Sequence, residues 1–136
     1  MDSSAVTEVK VASSPVYLPR VRRIITCFAK SLGMSEQEEH DTKLAVTEAF
    51  ANAIRHGSPD GDSSSVILRL YASDDTIVAE IMDEGAGFDP ASLHPRETFQ
   101  PGGMGIPLMR ALTDDVEFER TGCGMTIRIR KRASRK

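Results

Sequence analysis

The hydrophobic pattern changes period twice in the first third of the chain. Residues 6–12 alternate weakly, with Val6, Glu8 and Lys10 set against Thr7, Val9 and Val11, and this period of two predicts an edge strand. Pro15 and Pro19 then punctuate the entry to a helix. From Arg20 to Leu32 the apolar residues Val21, Ile24, Ile25, Phe28 and Leu32 fall at helical spacing, while Arg20, Arg22, Arg23 and Lys30 lie elsewhere, on what reads as a solvated face. Gly33 suits the C-terminal stop of that helix. Ser35-Glu36-Gln37-Glu38 has the form of a capping box, a hydroxyl followed three positions later by a carboxylate, and it opens a long second helix ending at Gly57.

Beyond a loop at residues 58–63 the period returns to two. Val66, Leu68 and Leu70 alternate with Ile67, Arg69 and Tyr71; Ser73-Asp74-Asp75 makes a turn; Ile77, Ala79 and Ile81 then alternate with Val78, Glu80 and Met82. Asp83 stands where this strand ends. Residues 84–104, with glycines at 85, 87, 102 and 103 and prolines at 90, 95 and 101, are irregular, and a loop of that length inside a small domain is usually functional or mobile. Gly105–Thr113 reads as a helix with Pro107 in its first turn. Val116 and Phe118 begin a strand, residues 121–124 turn it, and Met125, Ile127 and Ile129 alternate in a last strand. Strands joined by tight turns pair antiparallel, and the order β-α-α-β-β-loop-α-β-β gathers the helices on one face. The expected fold class is α+β, a two-layer α/β sandwich with a mixed, mostly antiparallel sheet.

Composition narrows the setting. A chain of 136 residues is expected to form a single domain large enough to bury a core, and its 40% hydrophobic and 27% charged residues are ordinary for a soluble globular protein. No apolar run approaches the roughly 20 residues that span a bilayer, so no membrane association is expected. Cys27 and Cys123 have no metal-ligand spacing, and a reducing cytoplasm is the simplest home. The net charge of −3 is uneven: six of the 17 basic residues (Arg128, Arg130, Lys131, Arg132, Arg135 and Lys136) fall in a stretch without an acid, leaving 11 against 20 acids elsewhere. An acidic body argues against direct nucleic-acid binding; residues 131–136 read as a basic tail, solvated or in contact with a partner.

Three short motifs carry candidate chemistry. In Leu44–Gly57 (LAVTEAFANAIRHG), Glu48 and Asn52 stand four apart on the long helix and share a face, with Arg55 and His56 one turn further on, opposite a stripe of Val46, Phe50, Ala53 and Ile54. Asp83-Glu84-Gly85-Ala86-Gly87 places an acid at a strand end before glycines that allow close backbone approach, and such an acid can accept from an exocyclic amine like that of adenine; alone, D-x-G-x-G is also the sequence of many plain turns. Gly102-Gly103-Met104-Gly105 precedes a helix whose first N–H groups suit phosphate, although alone it would serve as a hinge. A Walker-type P-loop and a strand–G-x-G-x-x-G–helix dinucleotide motif are both missing.

Taken together and in this order, the motifs resemble those of the GHKL (histidine-kinase-like) ATPase superfamily. Glu48 and Asn52 match its N box, Asp83, Gly85 and Gly87 its first glycine box, and Gly103 and Gly105 its second. Within it the chain looks like the anti-sigma factor serine/threonine-protein kinases, on the strength of its length, the Leu18-Pro19-Arg20 entry and GGMGIPLMRALTDDVEFE before GMTIRIRK. The resemblance spans about residues 6–131 and implies a Bergerat-type ATP site. It implies Asn52 as ligand of a Mg²⁺ that bridges the ATP phosphates, Glu48 as general base, and Asp83 at the adenine amino group with Thr126 near the same end. Gly85 and Gly87 would approach the nucleotide, and Gly103, Met104 and Gly105 would offer N–H groups to phosphate. Arg55 would add positive charge near the γ-phosphate or a partner; for it and His56 a surface role is equally open. The loop lacks the Thr-Thr-Lys run of some family lids, where Arg96 and Thr98 would stand in.

The resemblance further implies a homodimer touching through the first strand and helix, a sigma factor as partner, and a STAS-domain anti-anti-sigma protein as phosphorylated antagonist. Two other readings stand beside it: a nucleotide-loaded module that sequesters a partner without phosphotransfer, and a detached sensor-kinase ATPase domain. Glu48 argues against the first, since a pure binder needs no base, and the second lacks a preceding phosphoacceptor helix pair.

Overall fold

The computed structural model describes residues 6–56, 64–84, 105–121 and 124–134. Among these residues five strands and three α-helices follow one another as β1 (Thr7–Ala12), α1 (Leu18–Ser31), α2 (Glu36–His56), β2 (Ser65–Ser73), β3 (Thr76–Asp83), α3 (Gly105–Leu112), β4 (Asp115–Thr121) and β5 (Gly124–Arg132), with a 3-10 turn at Pro15–Tyr17 before α1. The strands form one sheet in the order β1-β2-β3-β5-β4, and all four pairings are antiparallel. This is the expected α+β class, and among the described residues the sheet is antiparallel throughout. After β3 come α3 and the outer strand β4, and β5 lies between β4 and β3.

Local chemistry sets the joints between elements. Leu32 caps α1, Gly33 takes a left-handed φ of +75°, and Met34 N–H donates to Ala29 O at 3.1 Å while Gly33 N–H donates to Lys30 O at 3.0 Å, the two bonds of a Schellman stop. The capping box then forms in both directions: Glu38 N–H donates to Ser35 Oγ at 3.0 Å, and Ser35 N–H donates to Glu38 Oε1 at 2.8 Å. In the β2–β3 hairpin Ser73 pairs with Thr76, so only Asp74 and Asp75 form the loop, with Asp74 at φ 58°. Aspartate is among the few residues that tolerate that conformation.

The core lies between one face of the sheet and the helices. Val66, Leu68 and Leu70 of β2, Ala79 and Ile81 of β3, and Ile127 and Ile129 of β5 meet Val21 and Ile25 of α1 and Ala45, Val46, Ala49, Phe50 and Ala53 of α2. Phe50 is fully buried, and truncating such a ring to alanine costs about 3–5 kcal/mol. The alanines of α2 leave room for close packing, which seats the helix against β3 and β5 on one side and α1 and α3 on the others. A smaller cluster of Ala29, Met34, Ile77 and Ala133 closes the end of the sheet near the β2–β3 hairpin.

The opposite face carries a line of alternating charges across every strand. Glu8, Arg69, Glu80, Arg128 and Glu117 are successive cross-strand partners, with contacts of 3.3 Å (Glu8–Arg69), 3.4 Å (Arg69–Glu80), 2.8 Å (Glu80–Arg128) and 3.3 Å (Arg128–Glu117). The Glu80 carboxylate above all, and then Glu117 and Glu119, holds Arg128 still more firmly protonated, and Arg130 and Arg128 hold the Glu117 carboxyl below the usual range. The basic stretch near the C-terminus is therefore largely strand. Lys131 and Arg132 close β5 instead of opening a tail, and Lys131 Nζ donates to Leu112 O at 2.8 Å.

Candidate functional site

On α2, Glu48 is half-buried and Asn52 is buried, at 4% exposure, among the alanines that pack on the sheet. The Asn52 amide is held in one orientation. Arg55, one turn on and exposed, donates through Nη2 to Asn52 Oδ1 at 2.7 Å, and because a guanidinium has donors only, the atom facing it is the amide oxygen. Asn52 Nδ2 is buried without a hydrogen-bond partner among the described residues, as is Thr47 Oγ1. An unpaired buried donor costs about 1–3 kcal/mol, so a polar group held there asks for a use. Ile54, expected in the apolar stripe, is only partly buried, and Ala45 and Ala49 take its share of the core.

Asp83 ends β3 opposite Met125. Its Oδ1 accepts from Met125 N–H at 3.2 Å, which fixes the carboxylate at the joint of β3 and β5. Thr126 is buried beside Met82, the next pair in the register. Gly124 was expected in the turn; it is instead the first residue of β5, buried against the Asp83 backbone, where a Cβ would run into the Asp83 carbonyl oxygen. Sequence reading missed this residue. The signal was a glycine placed just before the residue that faces the strand-end acid. Four consecutive residues, Gly124 to Ile127, are buried here, so the alternation seen further along β5 gives way beside Asp83.

Gly105 is the first residue of α3, and Pro107 sits in its first turn as expected. Helix α3 lies against α2 and β4, anchored by the fully buried Met109, and its first-turn N–H groups, as in any helix, are beyond the reach of its own carbonyls. Gly85, Gly87, Arg96, Thr98, Gly103 and Met104 lie outside the described residues, as does the His56 side chain. The structure thus brings Glu48, Asn52 and Arg55 together on one helix, and Asp83 and Thr126 together on the two strands that this helix crosses.

Among the described residues no group of three or more His, Cys, Asp or Glu side chains is poised to hold a metal. Asn52 offers one neutral, hard oxygen. That donor set fits Mg²⁺, which keeps waters and takes most of its ligands from substrate phosphates, and it does not fit a cation needing a full protein cage.

Residues 11–131 match the family described as histidine kinase-like ATPase domain. A serine-protein kinase RsbW from Oceanobacillus iheyensis is 32% identical over 121 residues, covering 82% of this chain and 77% of that protein. An anti-sigma F factor from Caldanaerobacter subterraneus is 28% identical over 138 residues and covers 96% of both. The solved RsbU and RsbW domains of a Mycobacterium tuberculosis protein superpose with a TM-score of 0.74 at 16% identity, over 98% of this chain and 34% of that one, which speaks for the fold. The chain belongs to the histidine kinase-like ATPase domain family, within its branch of anti-sigma factor serine/threonine-protein kinases.

Proposed function

We propose that the protein binds Mg-ATP, sequesters a sigma factor, and transfers the γ-phosphoryl group to a seryl or threonyl hydroxyl of a STAS-domain antagonist. The observation that carries this reading is Asn52, a buried amide kept at 4% exposure with its nitrogen unpaired among the described residues, one turn after Glu48 on the helix that crosses β3 and β5. Asn52 would supply its oxygen to Mg²⁺, and the bound ion would neutralise phosphate charge. Asp83 receives the adenine amino group at the β3 terminus, with Thr126 at the same end. Gly85 and Gly87 let the following loop come close to the nucleotide, and backbone N–H groups of Gly103, Met104 and Gly105 meet the phosphates.

Glu48 acts as general base. As the substrate oxygen bonds to the γ-phosphorus, Glu48 takes the hydroxyl proton and the bond to the β–γ bridging oxygen breaks, releasing ADP. The unphosphorylated antagonist then competes for the kinase and frees the sigma factor, while phosphorylation ends that competition. In this reading the protein works in the cytoplasm as a homodimer joined through β1 and α1.

The test mixes the purified chain with labelled ATP, Mg²⁺ and the STAS proteins of the same genome. Label on one of them, lost in Glu48→Ala while ATP still binds, is the expected result. ATP binding with transfer to none of them overturns the kinase in favour of a nucleotide-loaded binder. Unchanged Mg-ATP affinity in Asn52→Ala would remove the metal assignment.

A further inference from the structure

We infer that Arg55 competes with the metal ion for the Asn52 side-chain oxygen and so sets the magnesium level at which the site takes up nucleotide. This rests on the Mg-ATP reading of the same site. The oxygen that would ligate the ion is the one that already accepts from Arg55 Nη2 at 2.7 Å. Asn52 is 4% exposed, and its side-chain oxygen accepts from the exposed Arg55. A guanidinium and a divalent cation at one small oxygen repel each other, and the guanidinium gives up a short hydrogen bond when the ion arrives.

The two partners differ in burial. Asn52 is buried in the core, whereas Arg55 is exposed, so displacement by an arriving ion would fall on Arg55. Their spacing of three positions on α2 brings the two side chains together by helix geometry alone. The device sets an exposed cation over a buried ligand. It differs from a phosphate-binding arginine in its sign, because removing it should ease metal entry.

The experiment titrates Mg²⁺ from an EDTA-treated start and follows binding of a fluorescent ATP analogue, with no turnover required. Wild type, Arg55→Ala, Arg55→Lys, Asn52→Ala and the Arg55→Ala/Asn52→Ala pair are compared, and thermal melts check folding. In Arg55→Ala the half-saturating Mg²⁺ concentration should fall about tenfold, the weight of one charge-assisted hydrogen bond. Arg55→Lys should lie between it and wild type, because it keeps the charge and loses the planar fork. In the Asn52→Ala background the Arg55 change should no longer move the midpoint. An unmoved or raised midpoint in Arg55→Ala, or an equal shift without Asn52, overturns the inference; a raised midpoint assigns Arg55 to the phosphates. If wild type binds no nucleotide at any Mg²⁺ concentration, the Mg-ATP reading falls and takes this inference with it.

Discussion

Ser134 N–H donates to Glu38 Oε2 at 2.7 Å, tying the residues after the last strand to the first turn of the helix that carries Glu48 and Asn52. The same carboxylate closes the capping box with Ser35. One acid thus fixes both the start of α2 and the end of the chain's described fold.

That double use makes the protein acid-sensitive at a known place. The Ser134 hydroxyl first, and then the Ser35 backbone N–H, holds the Glu38 carboxyl down at about 2, from an ordinary 4.5. Because the folded value lies below the unfolded one, the stabilisation is complete above about pH 4.5 and is lost as pH falls toward 2. Glu38→Gln should show a shallower fall of melting temperature across that window than wild type. Ser35→Ala should cost about 1 kcal/mol at neutral pH by urea unfolding. Parallel acid curves for Glu38→Gln and wild type would count against this assignment.

Gly124 answers to space. A methyl group there has only the Asp83 carbonyl to move, and that carbonyl belongs to a strand paired on both sides. Gly124→Ala should lose about 2 kcal/mol or more of stability and weaken ATP-analogue binding beyond what stability explains, since Asp83 shifts with its backbone. Gly33→Ala is the informative companion: nothing crowds its Cβ position, and only the positive φ is penalised. It should cost about 1 kcal/mol and leave nucleotide binding intact.

Across the far face, Glu80 is the most protected link of the charge line, with 9% of its side chain exposed against 58% for Glu8 and 47% for Glu117. It faces Arg69 and Arg128 and accepts from Tyr71 Oη at 3.3 Å. Glu80→Ala would leave two guanidinium groups facing each other, at a cost of about 2–3 kcal/mol. Glu8→Ala should change stability by less than about 0.5 kcal/mol. Unfolding in high salt should erase the Glu8 effect and keep most of the Glu80 effect.

What the sequence disclosed and what it concealed follow one division. Gly33, Ser35 and the capping bond of Glu38 act on neighbours within four positions, so those roles could be read directly, whereas the Ser134 bond to Glu38 comes from the far end of the chain and could not. Glu48 and Asn52 declare themselves by helical spacing. Arg128, Arg130 and Lys131 read as a basic run because the acids that pair with the arginines, Glu80, Asp115 and Glu117, sit on other strands. Gly124 looked like a turn residue because its constraint comes from Asp83, far away in the chain. Arg55 lay in view, but which atom of Asn52 it holds depends on rotamers that no spacing encodes.

Asp83 offers the sharpest test of base selection. Its Oδ1 accepts from Met125 N–H, which orients a carboxylate whose two oxygens can each accept more than one hydrogen bond. In the proposed site an adenine amino group would donate to that carboxylate, whereas the guanine carbonyl at the same position would face it with a lone pair. Asp83→Asn can keep the bond from Met125 through its oxygen, so the strand joint should hold and the melting temperature should move by only about 2–3 °C. Its amide nitrogen then points a donor where an acceptor is needed. ATP affinity should fall by about 10–100-fold, and the preference for ATP over GTP should narrow or reverse. Competition binding with both nucleotides measures this, and equal ATP affinity in the two proteins would show that the base is read elsewhere.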